Sequence, residues 1–191
     1  MSIADVYENC PLLENEQYLL TLVSKDDWRD LIKVYSDVKA VPFFNSDNCN
    51  GDDFYYTTEA RMKQAIDFWL AEYGRRYYVR WSVRDKISGE IIGTIEFFNR
   101  KAEDYFNDCG LLRVDLRSDY ELTARIKPLL SLVIETCFDL FACDKIATKA
   151  IPTAVERIYA LKCVGFKLSD KKIIGHDGSE YGEYYVLNKI V

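Results

Sequence analysis

The sequence predicts a single domain of the α/β (α+β) class, with a mixed, mostly antiparallel sheet covered by helices. Candidate strands come first as a hairpin and only later alternate with helices, which is the order of a mixed sheet with helices packed on it. The 191 residues are 49% hydrophobic and 14% aromatic, including 14 Tyr and 10 Phe. That is enough apolar material for one sizeable core. No repeat or linker interrupts the chain, so residues 1–191 are expected to form one domain.

Tyr18 to Val23 reads as the first strand. Ser24 with Asp27 three residues on is a cap-like opening, and Trp28, Leu31, Ile32 and Tyr35 then recur at helical spacing. Val41 to Tyr56 has no periodicity and a centre full of turn formers, Asn45 to Asp53, so it is a long loop of the kind that serves as a lid or binding loop. Thr57 or Thr58 caps a second helix with the buried stripe Met62, Ala65, Ile66, Trp69, Leu70 and Tyr73. Tyr77, Val79, Trp81 and Val83 alternate with Tyr78, Arg80, Ser82 and Arg84, the pattern of a half-buried strand. Ser88-Gly89 turns the chain, and Ile91 to Phe98 returns as a more continuously apolar central strand.

A polar connection, Asn99 to Asp108, leads to a strand near Leu111 to Leu116. The next helix is marked by Leu122, Ile126, Leu129, Leu130, Val133, Ile134, Cys137, Phe138 and Phe141. Pro128 predicts that this helix starts late or is kinked, because proline also disfavours helical geometry at Lys127. Lys145 to Ile151 is a short strand. Pro152-Thr153 with Glu156 reads as a capping box opening a helix through Cys163, and Tyr184 to Ile190 is the last strand.

Charge and composition narrow the function classes. A net charge of −6 argues against a nucleic-acid surface and is compatible with a cationic partner. Apolar stretches are broken by charge well short of the roughly 20 residues that cross a bilayer, so no membrane partner is expected. Met1 to Cys10 carries Asp5 and Glu8 and no basic-then-apolar leader, which makes a cytoplasmic protein the expectation. The six cysteines include no Cys-x-x-Cys pair and read as free thiols. The single histidine, His176, lies in a turn-like Gly175-His176-Asp177-Gly178, so neither a metal site nor a histidine-based nucleophile is expected.

Several stretches, taken in order, resemble the GNAT superfamily of acyl-CoA N-acyltransferases. Val34-Tyr35-Ser36-Asp37 looks like the end of that family's first helix, and Ser88-Gly89-Glu90-Ile91-Ile92-Gly93 like its turn into the third strand. Asp108-Cys109-Gly110 is similar to its acidic, apolar and glycine residues before the fourth strand. Ile151-Pro152 through Gly165-Phe166 matches its fourth helix and closing Gly-Phe. The resemblance is nearest to the branch that acetylates N-termini of ribosomal proteins. It implies about six or seven strands flanked by about four helices. The strands near Leu111–Leu116 and Lys145–Ile151 would run parallel and splay apart.

The same resemblance implies transfer of an acetyl group from acetyl-CoA to a small-molecule or peptide amine, without a metal; a homodimer is compatible with it. The family's cofactor loop corresponds here to Glu121, Ala124 and Ile126, an acid and two larger side chains in place of a base and two small residues. The competing reading is therefore a catalytically silent GNAT-fold module that binds a ligand or partner. The cofactor-binding candidates are Val114 and Leu116 on the strand, with Arg117, Ala124, Arg125, Ile126 and Lys127 in the loop and helix start. Arg117, Arg125 and Lys127 either pair with phosphate oxygens or are solvated residues at a helix start. The family's cofactor-contacting Asn is matched by Ala154, and its Tyr acid by Leu161.

Backbone amides near Leu116 would stabilise the tetrahedral intermediate. Asp108 is the first candidate base, on its match to the family's acidic position, and Glu96 the second. Glu96 also reads as an outward-facing residue on an alternating strand. Asp52, Asp53 and Tyr55, in an acidic loop flanked by aromatics, are the candidates for holding a cationic amine, with packing of the aromatics onto the core as the plainer reading.

Overall fold

The protein is described here from a computed structural model covering residues 5–189. Its element order is β1 (Leu13–Glu14), β2 (Tyr18–Leu22), α1 (Trp28–Tyr35), α2 (Glu59–Gly74), β3 (Val79–Asp85), β4 (Ile91–Arg100), β5 (Cys109–Leu116), α3 (Thr123–Leu140), β6 (Lys145–Lys149), α4 (Val155–Cys163), β7 (Lys167–Leu168), β8 (Ile173–Ile174), β9 (Glu180–Tyr181) and β10 (Tyr184–Asn188). Eight strands form one sheet in the order β1-β2-β3-β4-β5-β6-β10-β7, and β8 and β9 make a separate ribbon. Within the large sheet only β5 and β6 run parallel. The α+β class, the mostly antiparallel sheet and the four helices agree with the sequence.

Helices cover both faces. One face packs Ile95, Leu112, Val114 and Leu116 against Ile126, Leu130 and Val133 of α3. The other lies under α1 and α2, where Leu31, Val34, Tyr35, Met62, Ile66 and Trp69 form a second apolar cluster. This second layer corrects the half-buried reading of β3: Arg80 and Ser82, on its polar side, are as buried as Trp81 and Val83. A strand between two helical layers has no solvated face.

Local chemistry explains the helix ends. Thr58 caps α2, its hydroxyl accepting from Arg61 N–H at 3.2 Å, and Ser24 N–H donates to Asp27 Oδ2 at 2.8 Å ahead of α1. The late start expected of α3 does not occur. The helix begins at Thr123 with Pro128 inside it. A proline here removes one bond to the Ala124 carbonyl, and Pro128 O accepts from Asn15 Nδ2 at 3.1 Å. Leu122, read as part of the buried stripe, is the exposed residue just before this helix. The capping box at Thr153 is also absent, because α4 starts at Val155 and the Glu156 carboxylate turns to α3. The last strand ends at Asn188, and Ile190 lies outside the described residues.

Candidate functional site

The site starts where β5 and β6 part. Their ladder runs from Cys109↔Lys145 to Leu112↔Thr148 and stops, while β5 continues to Leu116. On the other edge β5 stays paired to β4 throughout. Arg117 N–H donates to Ile92 O at 2.9 Å, which sets the alternation of that antiparallel ladder. Residues 113 and 115 therefore exchange bonds with β4, and Val114 and Leu116 turn their N–H groups toward the opening beyond β6. Backbone donors fixed in a rigid strand and facing a gap are suited to a carbonyl oxygen that gains charge.

On the α1–α2 face, under this opening, lies a buried charged network. Arg80 and Glu96 are each 1% exposed and paired to one another. Arg80 Nη1 also donates to Asp115 Oδ2 at 3.1 Å, and Arg113 Nη1 donates to Glu96 Oε1 at 2.9 Å. The Tyr35 hydroxyl donates to Asp115 Oδ2 at 2.8 Å and meets Thr94 Oγ1 at 2.7 Å. Burial alone would raise the Glu96 carboxyl, but the Arg80 and Arg113 guanidinium groups outweigh it and hold the pKa below the ordinary 4.5. Glu96 is therefore neither the outward-facing residue nor a free base. Asp115 Oδ1 and Arg80 Nε are buried with no hydrogen-bond partner among the described residues.

The 41–56 loop closes over this face. Lys149 Nζ, at the end of β6, donates to both Asp47 oxygens at 2.7 and 2.8 Å. The Tyr184 hydroxyl donates to Asp47 Oδ2 at 3.0 Å, and Arg113 Nη2 to Asp47 O at 2.9 Å. Tyr184 is itself pushed well up by burial.

The start of α3 is closed from α4. Thr123 N–H donates to Glu156 Oε2 at 2.7 Å, and the Thr123 hydroxyl bonds the same oxygen at 2.5 Å. Beside this, Arg157 pairs with Glu121 and donates to Phe43 O at 2.9 Å. Both members of the pair are buried. A helix start with its dipole and free amides favours an anion, and here the chain supplies one.

The structure brings Val114, Leu116 and Glu96 around the opening but scatters the other candidates. Asp108 stands at the opposite end of β5, exposed and paired with Lys101. Val114 and Leu116, whose amides face the opening, are six and eight residues along the chain from it, on the order of 20 and 26 Å, so its position does not support the base role. Arg117 is committed to Asp119 and Glu90, and Arg125 lies over the Tyr120 ring at 5.5 Å and 3.8 Å from Asp85 Oδ2. Ala124 and Lys127 are exposed, whereas Ile126 is buried in the core. Asp52 is held by Arg61 at 2.6 Å and by the Tyr56 hydroxyl at 2.9 Å, while Asp53 and Tyr55 face solvent. Sequence reading missed Asp47, Arg113, Lys149, Glu156, Arg157 and Tyr184. Among the described residues no group of three or more His, Cys, Asp or Glu is arranged to hold a metal ion.

No protein-family model and no curated protein sequence matches the chain. Solved structures do. An acetyltransferase of the GNAT family from Bacillus anthracis is 12% identical with a TM-score of 0.68, over 93% of this chain and 98% of that one. The ribosomal-protein-S5-alanine acetyltransferase from Vibrio fischeri is 18% identical with a TM-score of 0.67, over 94% and 96%. A ribosomal L7/L12 alpha-N-protein acetyltransferase, solved in complex with coenzyme A, is 11% identical with a TM-score of 0.69, over 94% and 98%. Identities this low speak for architecture alone. Nearly end to end, the chain has the fold of the GNAT acetyltransferases.

Proposed function

We propose that this chain is an acetyl-CoA-dependent N-acetyltransferase acting on an amine, either a peptide N-terminus or a small molecule. One observation carries the reading: the amides of Val114 and Leu116 face the gap beyond the end of the β5–β6 ladder. A thioester carbonyl placed there would meet two fixed donors as it becomes an oxyanion, which is the interaction that accelerates acyl transfer. The amine would approach from the 41–56 side. Glu96 faces that side but is tied to Arg80 and Arg113, so the amine proton leaves through water rather than directly to a carboxylate. The phosphate end would be held by Arg125 and Lys127, once Glu156 gives up the Thr123 amide.

A second reading is favoured by that last contact. With Glu156 on the α3 start and Arg157 paired to Glu121, the groove between α3 and α4 is fastened by side chains. A GNAT-fold module without acyl transfer would look the same. Thermal shift with acetyl-CoA tests the first requirement of the transferase reading, and transfer to an amine separates the two. A one-site ligand at roughly 100 Kd adds about 2.7 kcal/mol. A rise in Tm supports the transferase reading, and no shift at millimolar acetyl-CoA removes it.

A further inference from the structure

We infer that Lys149 and Tyr184 form a carboxylate subsite, filled by Asp47 in this structure, and that the acceptor carries a carboxylate of its own. The second half rests on the N-acetyltransferase reading; the first does not.

Three strands converge on this one loop residue. β6 supplies Lys149, β10 supplies Tyr184 and β5 supplies Arg113. The Asp47 carboxylate is bound as a ligand would be, with Lys149 against both oxygens and a phenol on Oδ2. Asn45 Nδ2 donates to the Tyr184 oxygen at 3.1 Å, which leaves its proton for the carboxylate. The Lys149 and Asp47 side chains are only 18% and 12% exposed. The pair is thus largely screened from water, unlike the salt bridges on the protein surface.

Charge balance says what must replace Asp47. Beneath the loop lie three cations, Arg80, Arg113 and Lys149, and two carboxylates, Glu96 and Asp115. Asp47 is the third carboxylate and makes the cluster neutral. Moving the Asp47 side chain aside leaves Lys149 without its counter-ion, and an incoming anion restores the pairing. A simple amine would add a second positive charge to the deficit. An amine that also carries a carboxylate, such as an amino acid or short peptide, would restore the balance.

Position links the subsite to the opening. Arg113 is the first β5 residue past the ladder, and Lys149 follows Thr148, the last β6 residue in it. A carboxylate held by Lys149 lies at the apex where the strands part, beside the gap that Val114 and Leu116 face. Amine and carboxylate would then be fixed at two ends of one small acceptor.

Chemical rescue tests the subsite without acetyl-CoA. Asp47→Ala should lower Tm, and sodium formate should restore part of the loss where sodium chloride at equal ionic strength does not. Formate at about ten times its Kd would show as a concentration-dependent rise. Lys149→Met in the same background should abolish the rescue. If Asp47→Ala does not fold, Asp47→Asn keeps the shape and its formate dependence is read instead. Absence of formate-specific rescue in the folded variant would mean that Asp47 is a fixed anchor, and the inference falls. The acceptor half is tested with acetyl-CoA by comparing glycylglycine with its C-terminal amide. The carboxylate form should have kcat/KM about tenfold higher or more, the effect of one hydrogen bond to a charged group, and Lys149→Met should erase the difference. Equal rates for the two would overturn that half. Rescue by formate with no transfer to either would keep the subsite and remove the acceptor half.

Discussion

Glu156 of α4 occupies the first free amide of α3, the Thr123 N–H, at 2.7 Å. The contact joins two helices that are 33 residues apart at this point and places a carboxylate where a helix start best accommodates an anion. Bonds from Thr123 hold the Glu156 carboxyl below its ordinary 4.5. A depressed carboxylate contributes stability above its unfolded pKa and loses it as pH falls through the folded value. The Thr123 amide shift in NMR should therefore follow a titration with a midpoint below 4.5. A midpoint at or above that value would show that the bond does not form in solution. Glu156→Gln should also bind acetyl-CoA more tightly than the wild type.

The Arg157–Glu121 pair predicts a large stability effect. Arg157→Ala leaves a buried Glu121 without its partner. Breaking one side of a buried pair costs about 3–5 kcal/mol. Urea denaturation measures it, and a loss near the ~0–1 kcal/mol of a surface pair would contradict the buried placement.

Glu96 is expected to behave as a structural charge. Glu96→Gln strands Arg80 and Arg113 in the interior, so the variant should be less stable near neutral pH by about 3–5 kcal/mol. Because the Glu96 carboxyl is depressed, its contribution is present above 4.5 and fades as pH falls below it. The gap between wild type and variant should narrow in acid. A constant gap between neutral pH and pH 4 and below would exclude an ionised Glu96.

Cofactor affinity should depend on Lys127 and Arg125 at the start of α3. Lys127→Ala and Arg125→Ala are each expected to cost about 1.5–3 kcal/mol in acetyl-CoA binding, as for hydrogen bonds to a charged group. Salt should shrink both losses. Arg117→Ala should matter less, since its guanidinium is already held by Asp119 and Glu90. Unchanged affinity in both of the first two variants would leave the phosphates to backbone amides.

Apolar periodicity made most of the fold legible. The stripe Met62, Ala65, Ile66 and Trp69 and the continuous run of β4 are each buried as read, because burial is what the pattern encodes. The polar face of β3 was misread, since a second helical layer over a strand leaves no mark in that strand's own sequence. The site was less legible for a related reason. Lys149 and Tyr184 meet Asp47 across 102 and 137 residues, and single charged residues carry no period. Glu156 looked like a cap for its own helix because capping boxes are local. Its partner is Thr123, a choice made by how α3 and α4 pack. Asp108 matched a family position, yet it precedes β5 at the end far from the opening.

The most direct test of the central claim is an amine-dependent transfer assay. Purified protein is incubated with acetyl-CoA and a panel of peptide and amino-acid amines, and N-acetylated product is followed by mass spectrometry. The account predicts an acetylated amine with stoichiometric release of CoA, above the rate without protein. Saturable binding of acetyl-CoA with no transfer to any amine, or no binding at all, would contradict it.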